Sequence, residues 1–414
     1  DRLTGLSMER GLPDDNMAEG GSKKNSRRGK KPRKPKQHGG TAKHLLIERH
    51  AGYDSAAKKA ANERFSQNPL PIAIPEDFEE PRHFSFDWEN NPVSLKTEAI
   101  LADKVVRRGE FGWLSDERVA EIGKMVDDLD MTLDQALSLR SALLQQKTVY
   151  SHGQLQARGK AIARLYREGM SIVKLSKKFD FPPMNVFRVV LKEMGWSKAR
   201  IKETLRAPSK FKERERKEFE SAEHADNVAN VDQSERHQEA DKFEDRIADW
   251  FEAKGVRLRR QPELVSEQAK EHGRAINTPD ILFLDHVNIN GVPVAWIDAK
   301  HFYGSDVDFQ RKKIAKQASR YVESWGQGAL VFRHGFCDNL HIPGTILLDS
   351  GPLDLSEFTI DSTEPVLEIV TPISTPGNNS TPTFEVNSSE NGTLSFSGGC
   401  SSIHISFLKS SALM

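Results

Sequence analysis

Cysteine is almost missing from this chain: its 414 residues include two, Cys337 and Cys400. Two thiols so far apart argue against a disulfide framework and cannot build a cysteine-rich zinc cluster. No apolar run approaches the ~18 residues of a membrane span. No glycine-rich loop ends in Gly-Lys-Ser or Gly-Lys-Thr, which argues against ATP-driven chemistry of the Walker type. No His/Cys set of the zinc-finger or HNH kind is present. Net charge is missing too, since 60 Lys and Arg offset 60 Asp and Glu. The overall balance is therefore silent about partners, and the local balance is not.

What is present divides the chain. Residues 1–67 read as a disordered basic region, because the first forty carry almost no apolar residues. From Lys23 to Lys36, nine of fourteen residues are Lys or Arg and none is acidic. Such a block reads as a nuclear address or a phosphate-binding arm. Residues 68–152 read as a small helical region behind an irregular, proline-punctuated entry (68–92). Ser115 predicts a helix start with Val119, Ile122 and Met125 on one face, ending near Leu129. Thr132 and Gln135 have the spacing of a capping box. Residues 153–212 read as three helices, with a break at Glu168-Gly169 and a third start at Pro182-Pro183. These are helix-turn-helix proportions. From Lys174 to Arg216 thirteen basic residues face five acidic ones, which suits DNA binding by counterion release. The bland alternative is a three-helix interaction module. Residues 213–238 read as a charged linker, and 351–414 as a disordered Ser/Thr/Asn-rich tail.

Residues 239–350 carry the chemistry. The pattern predicts an amphipathic helix with Phe243, Ile247, Trp250 and Phe251 on one face, stopped by Gly255. VRLRR follows as a short strand. PDILFL and PVAWIDA read as buried strands joined through Asn290-Gly291, a turn signal. A helix over about 308–325 and a strand over ALVFRHG complete a small mixed sheet flanked by helices. Asp280 opens one buried strand. Asp298 and Lys300 end the next, and their spacing of two puts both on one face. Two carboxylates beside an ammonium suit a hard cation such as Mg²⁺, or Mn²⁺ in its place. Glu244, on the preceding helix, is placed to add a third carboxylate. A carboxylate that merely caps a turn is the competing reading for any one of these residues. His301 reads as a surface histidine, and Trp250, Trp296 and Trp325 as core.

Thr278-Pro279-Asp280 followed by Asp298-Ala299-Lys300 resembles the PD-(D/E)XK motif of restriction-endonuclease-like nucleases. Gln317 and Tyr321 resemble the QxxxY element of some of its branches. TPDILFL, VPVAWIDAKHFYG and QASRYVESWGQGALVF together look like the codanin-interacting nuclease family, over roughly residues 95–350. The resemblance implies an α+β chain: an all-α helix-turn-helix region before a restriction-endonuclease-like core with a central mixed sheet. It also implies a metal-dependent nuclease acting on DNA, while the basic block at 23–36 points to the nucleus, with the cytoplasm as a second location. Asp280, Asp298 and Glu244 would hold the metal, Lys300 would serve the attacking water, and Gln317 and Tyr321 would assist. A codanin-like protein partner is implied as well. This chain departs from the family in having Asp298 where Glu is usual and a longer run after Lys300, reaching Asp306. A DNA-binding adaptor or scaffold on a nuclease fold is the alternative function.

Overall fold

The computed structural model describes residues 41–64, 79–228, 234–358, 367–371 and 385–388. The basic block at 23–36 and most of the Ser/Thr/Asn-rich tail lie outside them. The chain divides into two compact units, residues 1–53 and 54–414. Helix α1 (Thr41–Glu63) begins in the first. Everything below concerns the second, which is mixed α and β.

Two stretches read as unstructured in sequence contribute strands. β1 (His83–Phe86) lies within the proline-punctuated entry. Helices α2 (Leu95–Val105), α3 (Asp116–Val126) and α4 (Leu133–Tyr150) follow. Ser94, Ser115 and Thr132 cap them by accepting backbone N–H groups, and Thr132 with Gln135 forms the expected reciprocal box. Next come α5 (His152–Ala157), α6 (Gly159–Arg167), α7 (Ile172–Phe179), α8 (Pro183–Glu193), α9 (Lys198–Arg206) and α10 (Glu213–His224). Then α11 (Ser234–Glu252) leads into β2 (Leu258–Arg260), α12 (Gln261–His272), β3 (Ile281–Ile289) and β4 (Val292–Lys300). α13 (Asp308–Trp325), β5 (Gly328–Phe332) and β6 (Thr345–Leu348) complete the main sheet. β7 (Leu367–Thr371) and β8 (Glu385–Ser388) pair antiparallel within the stretch read as a disordered tail.

The main sheet has six strands. β1, β3, β4, β5 and β6 lie in that order, and β2 shares β3's outer edge with β1. β2 pairs antiparallel with Ile281–Phe283, and β1 pairs parallel with His286–Ile289. β3 and β4 form a hairpin, whereas β4–β5 and β5–β6 are parallel. Asn290 and Gly291 both have positive φ (52° and 74°), the type I′ geometry that matches strand twist. A register shift between Leu282 and Val287 then brings Ile281 opposite Ile297, and Asp280 therefore falls opposite Asp298.

Both faces of the sheet are covered. On one, Phe243, Ile247 and Phe251 of α11 pack on Ile281, Phe283, Ile297 and Val331. Leu353 and Phe358 join that layer, so packing continues past residue 350. On the other, α13 supplies Ile314, Ala318, Tyr321 and Trp325 against Trp296, Leu330 and Phe332. The same cluster takes in Leu101 of α2, Ile122 of α3 and Leu139 of α4. The small helical region is thus an outer layer of the sheet rather than a separate core. Sequence periodicity finds an apolar face but not what that face meets.

The segment at 153–212 has its own core, and α10 belongs to it. Phe219 and Ala222 of α10 are buried with Ile162, Leu175 and Phe187. Glu218 accepts the Ile172 N–H (2.8 Å), and Asp226 accepts the Met184 N–H (2.8 Å), capping α7 and α8. The charged linker of the sequence reading therefore folds onto the module as far as these residues. α8, which helix-turn-helix proportions would make the recognition helix, is mostly buried. Pro183, Met184, Val186, Phe187, Val189, Val190 and Leu191 are all buried. Lys192 is exposed, and its Nζ donates to Gln156 (2.8 Å). A helix reading a major groove needs a free face of side chains, and α8 keeps only a narrow one, along Asn185, Arg188 and Lys192.

Candidate active site

Asp280, Asp298 and Lys300 meet at one end of the β3–β4 pair, on the face covered by α13. All three are nearly inaccessible, at 6, 2 and 8 % exposure. Asp298 and Lys300 form an ion pair, as side chains two apart on a strand can. Asp280 Oδ2 accepts the Ala299 N–H across the hairpin (2.7 Å). Burial pushes the Asp280 carboxyl well above its usual range, and the Asp298 and Glu244 carboxylates push it further. Lys300 and the Ala299 N–H oppose that rise. Glu244 is half-buried on α11 and close enough to Asp280 to act on its charge.

α13 completes the network. The Gln317 side-chain oxygen accepts from Lys300 Nζ (3.3 Å), and its amide nitrogen donates to Asp298 Oδ1 (3.1 Å). One amide therefore fixes both ends of the ion pair. Gln317 also donates to Tyr321 Oη (3.3 Å), which donates to the Thr278 carbonyl (3.2 Å). Burial, then Asp298, raises the Tyr321 phenol, so it stays a donor at neutral pH. All six residues singled out in the sequence thus come together, with Glu244 the one known here only by its charge.

Gln261 was missed. It opens α12, a helix the sequence reading passed over, and its amide donates to Asp280 Oδ1 (2.9 Å) and the Thr278 carbonyl (3.3 Å). Buried Gln268, two turns on, accepts the N–H groups of Ile276 (2.7 Å) and Asn277 (3.0 Å). It thereby shapes the loop into Asp280. A polar helix with few apolar positions gives little periodic signal.

His301 is not a surface side chain. It is half-buried, accepts a hydrogen bond from Arg333, and lies 3.7 Å from Glu239. Burial, then Arg333 and His334, lower its pKa to about 4. Asp306 pairs with Arg311 and accepts from Asn339 (2.7 Å), and its N–H donates to Glu98 (3.0 Å). It braces the loop before α13 and stands outside the site.

Ionised, Asp280 and Asp298 would carry two negative charges against the positive charge of Lys300, and the Glu244 carboxylate acts on Asp280 as well. Buried like charges are costly unless neutralised. That donor chemistry, all oxygen, fits a hard divalent cation. Among the described residues no three His, Cys, Asp or Glu side chains cluster tightly enough to enclose an ion alone. Mg²⁺ does not require that, since it keeps several waters and binds through one or two carboxylates.

A family model described as a protein of unknown function with a TPD sequence motif matches residues 211–350, roughly a third of the chain. Thr278-Pro279-Asp280 lies inside that match. An uncharacterized protein of Acanthamoeba polyphaga mimivirus is 29% identical over 116 residues. That similarity covers 27% of this chain and 40% of the viral protein. No solved structure matches.

Proposed function

We propose that this protein is a metal-dependent nuclease hydrolysing phosphodiester bonds of DNA at Asp280, Asp298 and Lys300. The observation that carries the reading is the meeting of two buried carboxylates and an ammonium at one sheet end. Asp280 and Asp298, with Glu244 beside them, would hold Mg²⁺ or Mn²⁺. Such an ion supplies Lewis-acid chemistry at a phosphoryl oxygen and makes a nucleophile of water near neutral pH.

The chain's own residues divide the remaining work. Lys300, the buried cation at the site, orients the attacking water and neutralises charge building on the phosphoryl oxygens. Gln317 keeps Lys300 Nζ directed toward Asp298. Gln261 and Ala299 hold Asp280 from two sides, and Tyr321 pins the loop that delivers it. Fixed donors of this kind avoid reorganisation during reaction.

The test is cleavage of labelled duplex, single-stranded, flapped and branched DNAs with Mg²⁺, Mn²⁺ or EDTA. Metal-dependent cutting of at least one substrate is expected. Firm DNA binding with no cutting in any lane would overturn the proposal in favour of a non-catalytic adaptor.

A further inference from the structure

The mostly buried α8 leaves open how nucleic acid would be held. A cavity between the helical layer and the segment at 153–212 offers a different surface. It measures about 260 Å³ and is lined by Arg108, Lys147, Ser151, Gln154, Arg158 and Asp180, with apolar walls. That is smaller than the roughly 300–1,000 Å³ of a drug-sized ligand's pocket. It holds the equivalent of about eight or nine waters at ~30 Å³ each, ample for one charged group of a larger polymer.

Its charge is unbalanced. Asp180 is committed: it pairs with Lys147 (2.7 Å) and accepts the Gly109 N–H (2.9 Å). Arg108 donates to the Lys178 carbonyl (3.2 Å), a neutral partner. Among the described residues neither Arg108 nor Arg158 has an acidic partner. Lys160, Lys177 and Lys178 are exposed on the elements that frame the opening. The cations come from four places in the chain: the loop after α2, the end of α4, the α5–α6 junction and α7. Convergence of that kind differs from the run of charge along a single solvated helix. Ser151 and Gln154 add neutral hydrogen-bonding groups inside.

We propose that this cleft anchors a backbone phosphate of DNA away from the cleavage centre, so that binding is electrostatic and indifferent to sequence. The inference rests on the nuclease reading and assigns its substrate-holding surface. Guanidinium groups suit phosphate through their planar donor forks. Release of counterions gives such contacts a steep salt dependence without base readout.

The experiment measures fluorescence anisotropy of two labelled duplexes of unrelated sequence, titrated with the full chain carrying Asp280→Asn, across a salt series. In that background, Arg108→Ala with Arg158→Ala should weaken both duplexes alike. It should also reduce the slope of log affinity against log salt by about one per charge removed. Gln154→Glu, which adds a charge without changing shape, should weaken both as well. Unchanged affinity and slope in both variants would overturn the cleft. So would loss confined to Lys198→Ala with Arg200→Ala on exposed α9, or to one duplex. Because binding is read without cleavage, failure here is distinct from failure of the nuclease reading.

Discussion

Lys300 and Asp298 pair from the same face of β4, and one side chain, Gln317, holds both. Removing the lysine leaves Asp298 buried without its counter-charge beside Asp280. Lys300→Ala should therefore cost roughly 3–5 kcal/mol of stability, the penalty for orphaning a buried partner. Mg²⁺ should restore part of that loss. Urea unfolding in EDTA and in Mg²⁺ measures both, and a loss below about 1 kcal/mol would match a solvent-screened surface pair instead.

Asp280 trades stability for its site. Its folded-state pKa is raised, so the folded chain holds the proton more tightly than the unfolded one. That contribution is full below the ordinary carboxylate range and is lost as pH rises through the raised value. At neutral pH without metal, Asp280→Asn should raise Tm and flatten its pH dependence, while cleavage disappears. Thermal scans in EDTA from pH 4 to 8 report it. A lower Tm for the variant at pH 7 would contradict the charge argument.

His301 works in the opposite direction. Its pKa of about 4 lies below the ordinary value, because burial and Arg333 disfavour the imidazolium. Between the two values the unfolded chain takes up a proton that the folded chain refuses. Stability present above about pH 6.5 is lost as pH falls toward 4. His301→Gln should remove that part of the acid sensitivity, read as a smaller fall in urea midpoint between pH 7 and 5. An identical fall in both proteins would place the histidine in solvent.

Trp296 lies flat over Gly328 on the neighbouring strand. A Cβ there would overlap the indole ring. The ring cannot retreat, being buried and tied through Nε1 to the Gly326 carbonyl (3.0 Å). Gly328→Ala should cost about 1–3 kcal/mol or more by overpacking, with loss of near-ultraviolet dichroism from the displaced tryptophan. Wild-type stability would mean this packing is looser than it stands.

The site was legible because its signals are local. Strand alternation puts Asp298 and Lys300 on one face, Asn290-Gly291 marks the hairpin turn, and α13 begins and ends where its periodicity does. The missing parts are non-local. β1 is four residues long and gains meaning through parallel pairing with β3, some two hundred residues away. α12 contributes Gln261 and Gln268 by hydrogen bonds, which leave no hydrophobic pattern. The three-helix outline of 153–212 was visible in the breaks at Gly169 and Pro182. Burial of most of α8 was not, because it depends on α10 folding back.

The most direct measurement is single-turnover cleavage of one labelled DNA in Mn²⁺ by the wild type, Asp298→Asn and Lys300→Ala, with DNA binding recorded alongside. Wild-type cutting that EDTA abolishes, and that both variants lose by at least about a hundredfold while still binding DNA, is the expected result. Cutting that persists in both variants would place the chemistry elsewhere in the chain.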